Sequence, residues 1–134
     1  MRCNAGASAV EFALVSPILI VMLFGIIAYG LYFAAAHSLQ QIAAEAARAS
    51  VAGLSDAERR ELARRSVSLA LAPPSLLRAE HVTLQFGTDA ADPYVYIVSL
   101  SFDARVLGIA PLAEIIPVPN LVLTKSARVR RGGL

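Results

Sequence analysis

The sequence predicts an α+β chain. A long N-terminal transmembrane helix continues into a soluble helix, and a second helix and a three-stranded antiparallel sheet follow. Three observations predict it. From Phe12 to Ala36 there is no Asp, Glu, Lys, Arg or His. A capped stretch with helical spacing then ends on Pro73-Pro74. Beyond that pair the apolar residues alternate with period two, as in strands with one buried face.

The totals agree. Of the 134 residues 57% are hydrophobic and 16% charged, and the mean hydropathy is +0.61. A soluble domain is nearer half apolar and a quarter charged. A helix over Phe12–Ala36 is roughly 37 Å long, enough to cross a hydrocarbon core of about 30 Å with some tilt. The remaining ~95 residues make too small a domain to enclose such a helix. Net charge is +2, too little to argue for nucleic acid, and no basic stripe carries interleaved aromatics. Cys3 is the only cysteine, so no intramolecular disulfide forms.

Past the apolar run the helix becomes more polar through HSLQQIAAEAARASVAG, with Leu39, Ile42, Ala43, Ala46 and Ala49 on one packed face. Gly53 is the stop, which gives a first helix of about 45 residues. Ser55 with Glu58 reads as a capping box that opens a second helix over about residues 56–71. Arg59, Arg60, Arg64 and Arg65 lie on it with Glu58 and Glu61, a solvated, self-pairing face. Pro73-Pro74 ends it, because neither ring donates a hydrogen bond and the first restricts its predecessor.

Three strands follow, over residues 81–86, 94–105 and 121–130. Val82, Leu84 and Phe86 share the inward face with Tyr94, Tyr96, Val98, Leu100 and Phe102, and with Leu121, Leu123, Ala127 and Val129. A polar turn over residues 87–93 joins the first two strands. The amphipathic helices are the available cover for the apolar face. The connection VLGIAPLAEIIPVPN, with prolines at 111, 117 and 119, excludes a regular strand. A short helical turn is expected around Pro111–Ile115, with the loop lining the core.

Glu11 does not fit a plain anchor, because a carboxylate at the head of a membrane helix is costly to desolvate unless paired. The bland alternative places it at head-group level near helix N-terminal amides. Gly6 stands five positions before it. The run G-A-S-A-V-E-F ahead of an uncharged span resembles the class III signal of type IV pilin-like precursors. That resemblance implies cleavage by prepilin peptidase between Gly6 and Ala7, with Glu11 and Phe12 as determinants of processing and assembly. A glycine lets the scissile bond lie extended in a protease cleft. Cleavage creates an α-amine, with which Glu11 of a neighbouring, staggered subunit could pair.

AVEFALVSPILIVMLFGIIAYGLYF resembles the N-terminus of the TadE-like family, minor pseudopilins of the tight-adherence pilus. The likeness includes Pro17 six residues after Glu11, the Phe24-Gly25-Ile26 step, Tyr29, the AAEAARAS stretch and the closing Ser126–Arg128. Its specific part is confined to about residues 5–50. Ala28 departs from it, since the family often carries an acidic residue near that position. Flp major pilins of the same system are much shorter and lack a C-terminal domain, so an accessory role fits better.

The resemblance implies a leader over residues 1–6, a transmembrane helix over 7–36 and a soluble, pilin-like α+β domain over 37–134. It places the N-terminus inside and the domain in the periplasm, on the inner membrane. Its partners would be prepilin peptidase and other pilins or pseudopilins, with no cofactor, metal or small-molecule substrate. The positive-inside rule is nearly tied, with Arg2 before the span and Arg48 after it.

Locally, Pro17 removes one intrahelical bond and favours a kink, which neighbours, water or a position in the first turns can accommodate. Gly25 and Gly30 permit close helix approach, though their spacing is not the four of a small-xxx-small seam. Tyr29, Tyr32 and Phe33 fit an interfacial aromatic belt.

An enzyme is not indicated, since no nucleophile elbow, phosphate loop or ligand cluster appears. His37 and His81 read as an interfacial polar residue and a strand-start residue rather than ligands. Two rivals remain: a secreted protein cut after Ala34-Ala35-Ala36, whose apolar region is too long for a signal peptide, and a signal-anchored binding domain with no pilus role.

Overall fold

The computed structural model describes residues 4–111 and 120–130. It is α+β, as the sequence predicts. Helix α1 (Asn4–Ser50) is continuous, and α2 (Asp56–Ala70) returns beside it. Strands β1 (Val82–Thr88), β2 (Val95–Asp103) and β3 (Val122–Arg130) form one antiparallel sheet in the order β1-β2-β3. Short 3-10 turns precede β1 at Ala79–His81 and follow β2 at Ala104–Leu107.

The turn between the helices is tight. A Cβ on Gly53 would stand 2.7 Å from the backbone nitrogen of Arg59, so only glycine lets this turn meet α2. At the cap, Ser55 Oγ accepts from Glu58 N–H at 3.2 Å. The Glu58 carboxylate accepts from Leu54 N–H at 2.9 Å, one residue earlier than in a standard capping box. Of the four arginines only Arg59 pairs with a carboxylate among the described residues, and that carboxylate is Asp56. Arg64 instead lies over the Phe86 ring at 5.7 Å, a cation–π contact that ties α2 to β1.

Each strand buries the predicted face. Tyr96, Val98, Leu100, Phe102 and Leu123 are buried, with Val82, Leu84, Phe86, Ala127 and Val129 half-buried around them. Tyr94 differs: β2 begins at Val95, and Tyr94 is exposed in the preceding turn, its N–H donated to Asp92 Oδ1. The outward face is hydroxyl-rich, with Ser99 opposite Ser126 and Ser101 opposite Thr124. At the far end of the sheet Arg128 reaches Asp89 at 3.1 Å and Arg130 reaches Asp92 at 3.7 Å.

Helix α1 covers β2 and β3, with α2 packed alongside it towards β1. The core joins Leu39, Ile42, Ala43, Ala46 and Ala47 of α1 to Ala63, Val67 and Leu71, and to the sheet. Ala49 is only half-buried. Small alanines let the helix approach closely, and burying Phe102 or Leu100 contributes about 1.5–3 kcal/mol each. The helical turn expected around Pro111–Ile115, and most of that connection, lie outside the described residues.

Candidate functional site: the bare half of the first helix

Helix α1 is one rod in two environments. Val10, Phe12, Leu14, Val15 and every large apolar residue from Ile18 to Ile27 are exposed. From Ala28 onwards one side is buried. The best 18-residue window of the helix has mean hydropathy 2.5 and no buried residue. Soluble monomers rarely expose contiguous apolar patches beyond a few hundred Å², and a helix hydrophobic all round belongs in a core or a membrane. This one is long and apolar enough to span, which suggests single-pass anchoring.

The sequence-predicted site residues all lie on this bare half or just before it. The Gly6–Ala7 peptide bond is within helical backbone, close behind the start at Asn4. Gly6 is exposed, with nothing within 4 Å of where a Cβ would stand. An extended backbone at that bond would require the first turn to unwind. The first four amides of a helix lack intrahelical acceptors, and glycine weakens the helix by about 1 kcal/mol relative to alanine, so this unwinding is cheap.

Glu11 is exposed and has no hydrogen bond or ion pair among the described residues. It is the eighth residue of a helix that starts at Asn4, so its own turn has no orphan amides for it to cap. Phe12 is 69% exposed beside it. A single unpaired carboxylate thus heads a surface that is otherwise apolar, and it offers the one strong polar handle there.

Pro17 sits inside α1 without ending it. Its missing N–H would have met the carbonyl of Ala13. Ser16 Oγ donates to that same Ala13 oxygen at 3.5 Å, a long bond that partly replaces the lost donor. The sequence alone leaves this task to water, to neighbours or to a position in the first turns. The signal that could have found it is the serine immediately before the proline.

Tyr32 is not a lipid-facing belt residue. It is 8% exposed and donates its hydroxyl to Asn120 O at 3.2 Å. Phe33 remains exposed, stacked near Tyr29 at 6.3 Å and edge-on to Tyr32 at 5.8 Å. Ala28, near which the TadE-like resemblance implies an acidic residue, is 3% exposed. A small neutral side chain suits that packing, since a buried carboxylate needs a partner.

The two histidines line different clefts. His37 stands with Tyr32, Phe33, Leu123 and Lys125, and His81 with Leu76, Phe102 and Val106. His81 Nε2 approaches Glu80 Oε1 at 3.4 Å.

Comparison with curated proteins returns no match, and neither does comparison with solved structures. Residues 6–48 match the family model described as TadE-like protein. That match starts at Gly6, takes in Glu11, Phe12 and Pro17, and ends at Arg48, two residues short of the end of α1. The helix that bears the candidate site is thus similar to that family over residues 6–48.

Proposed function

We propose that this chain is a TadE-like minor pseudopilin that takes part in assembling or priming a tight-adherence pilus. Prepilin peptidase cuts between Gly6 and Ala7, and the mature chain stays in the inner membrane with its α+β domain in the periplasm. The role is one of assembly, not catalysis. The carrying observation is Glu11, exposed and unpaired among the described residues, at the head of a bare apolar helix and five positions after Gly6. The family match over residues 6–48 supports the same reading.

The helical geometry adds a physical rationale. Cleavage would place the new α-amine at residue 7, one helical turn from Glu11 on the same face. A neighbouring parallel helix, staggered along the axis, brings that amine or its own against the carboxylate. Pairing neutralises both charges before they enter an apolar bundle, where an isolated charge costs several kcal/mol. Unpaired, Glu11 holds the helix at the membrane surface; paired, it admits the helix to the assembly.

Mass spectrometry of the mature protein tests the first step. A chain beginning at Ala7 is expected from the wild type, and a full-length chain from Gly6→Val. Glu11→Ala is expected to be anchored yet absent from assemblies captured with its partner pilins. Should Gly6→Val and Glu11→Ala leave processing and pilus formation both intact, the proposal fails.

A further inference from the structure

The domain takes hold of α1 early. Ala28 and Tyr32 are already core residues, and the Tyr32 hydroxyl is tied to the backbone at Asn120. The bare part of the uncharged run is therefore residues 12–27. Sixteen helical residues rise about 24 Å, while a hydrocarbon core is about 30 Å thick. No linker separates this stretch from the domain, because the helix is unbroken through Ser50. A span that fills the hydrocarbon must consequently draw the near end of the domain into the head-group layer.

That near end is defined by the sheet register. Tyr32 meets Asn120 while Gln40, further along α1, reaches Ser126 O, so β3 runs away from the membrane as α1 does. Asp103 pairs with Val122 and Val82 with Phe102 at the membrane side. The turn after β2 carries Val106, and the segment before β1 carries Leu76 beside it in one cleft. Leu76, Val106 and Val122 are all exposed large apolar residues. Arg78 and Arg105 flank them, each with a carboxylate, Glu80 at 3.5 Å and Asp103 at 3.8 Å.

We propose that this end of the domain is a lipid-contacting surface, in which Leu76, Val106 and Val122 rest in the head-group–acyl boundary of the bilayer that α1 crosses. The occupant is the phospholipid surface itself, continuous with the lipid around the span. The contact is apolar in origin, because both arginines already hold carboxylates. The proposal rests on the membrane-anchor reading of α1.

The test uses the full chain carrying Cys3→Ser, reconstituted at low protein-to-lipid ratio into phosphatidylcholine–phosphatidylglycerol vesicles. Single cysteines at Leu19→Cys, Val106→Cys and Tyr94→Cys carry an environment-sensitive fluorophore, and nitroxide lipids quench it. Val106 and Tyr94 are exposed at opposite ends of the sheet, about 30 Å apart along a nine-residue strand. Both side chains are solvent-exposed, and the denaturant melt of each labelled protein is checked against the wild type. The expected result is strong quenching at 19 by acyl-chain nitroxide. Head-group nitroxide is expected to quench 106 several-fold more than 94, because only 106 would lie within about 5–10 Å of the head-group–acyl boundary. Equal quenching at 106 and 94, with 19 still quenched, overturns the proposal alone. An unquenched label at 19 overturns the anchor reading and this proposal with it. A response at 106 that rises with protein-to-lipid ratio identifies a second copy as the occupant and also overturns it.

Discussion

The two halves of α1 share one continuous helical conformation, yet they are built for different surroundings. Residues 12–27 are uncharged and every large apolar side chain among them is exposed, whereas Ala28–Ser50 is buried on one side and packs against α2, β2 and β3. For anchoring alone, the large residues from Ile18 to Ile27 can be exchanged among apolar types, because lipid asks only for hydrophobicity. The second half cannot, because Ala35, Leu39, Ala43 and Ala46 are fully buried and each has a shape to fill. Solvent specifies one half and geometry the other.

Substitutions that separate folding from anchoring should break this comparison most clearly. Phe102→Ala removes the largest fully buried side chain among the described residues and should cost the domain about 3–5 kcal/mol. Denaturant melts of detergent-solubilised protein should show that loss, while membrane fractionation stays unchanged. Leu19→Arg should do the reverse. A charge near the helix centre costs about 2.5–3.5 kcal/mol of insertion, so the protein should move towards the soluble or aggregated fraction with its domain melting at the same denaturant concentration.

Smaller effects sharpen the boundary. Gly53→Ala forces a Cβ against the Arg59 backbone and should destabilise the domain by about 1–3 kcal/mol, read from the same melts. Ser55→Ala removes the α2 cap and should cost about 1 kcal/mol. Ser16→Ala deletes a long, weak bond to Ala13 O. It should change insertion by under about 1 kcal/mol and be seen, if at all, as a change in kink angle by spin-label distances.

Much of the fold was legible because its signals are local. The Ser55–Glu58 cap, the Pro73-Pro74 stop and the alternation from Val82 to Val129 each announce an element within a few residues. The depth at which the domain grips α1 was not legible. Between Phe12 and Ala36 every residue is uncharged, so no polar face contrasts with a packed one. Ala28, Tyr32 and Ala35 therefore read as membrane residues, although they belong to the core. Tyr32 shows why: its partner is a backbone carbonyl 88 positions away, which no local pattern records. Gly6, Glu11 and Pro17 stand out in the sequence by their spacing. The Ser16–Ala13 bond that accommodates Pro17 needed the helical backbone to be seen.

An unbroken α1 also has a mechanical meaning. From Pro17 to Ser50 the helix is an arm of about 50 Å with the domain clamped to its outer part. Rotation of that arm about the proline, by 10°, sweeps its far end through about 9 Å. Reorientation of the span within the bilayer is thus geared directly to displacement of Arg60, Tyr94 and the sheet's outer rim, with no slack in between.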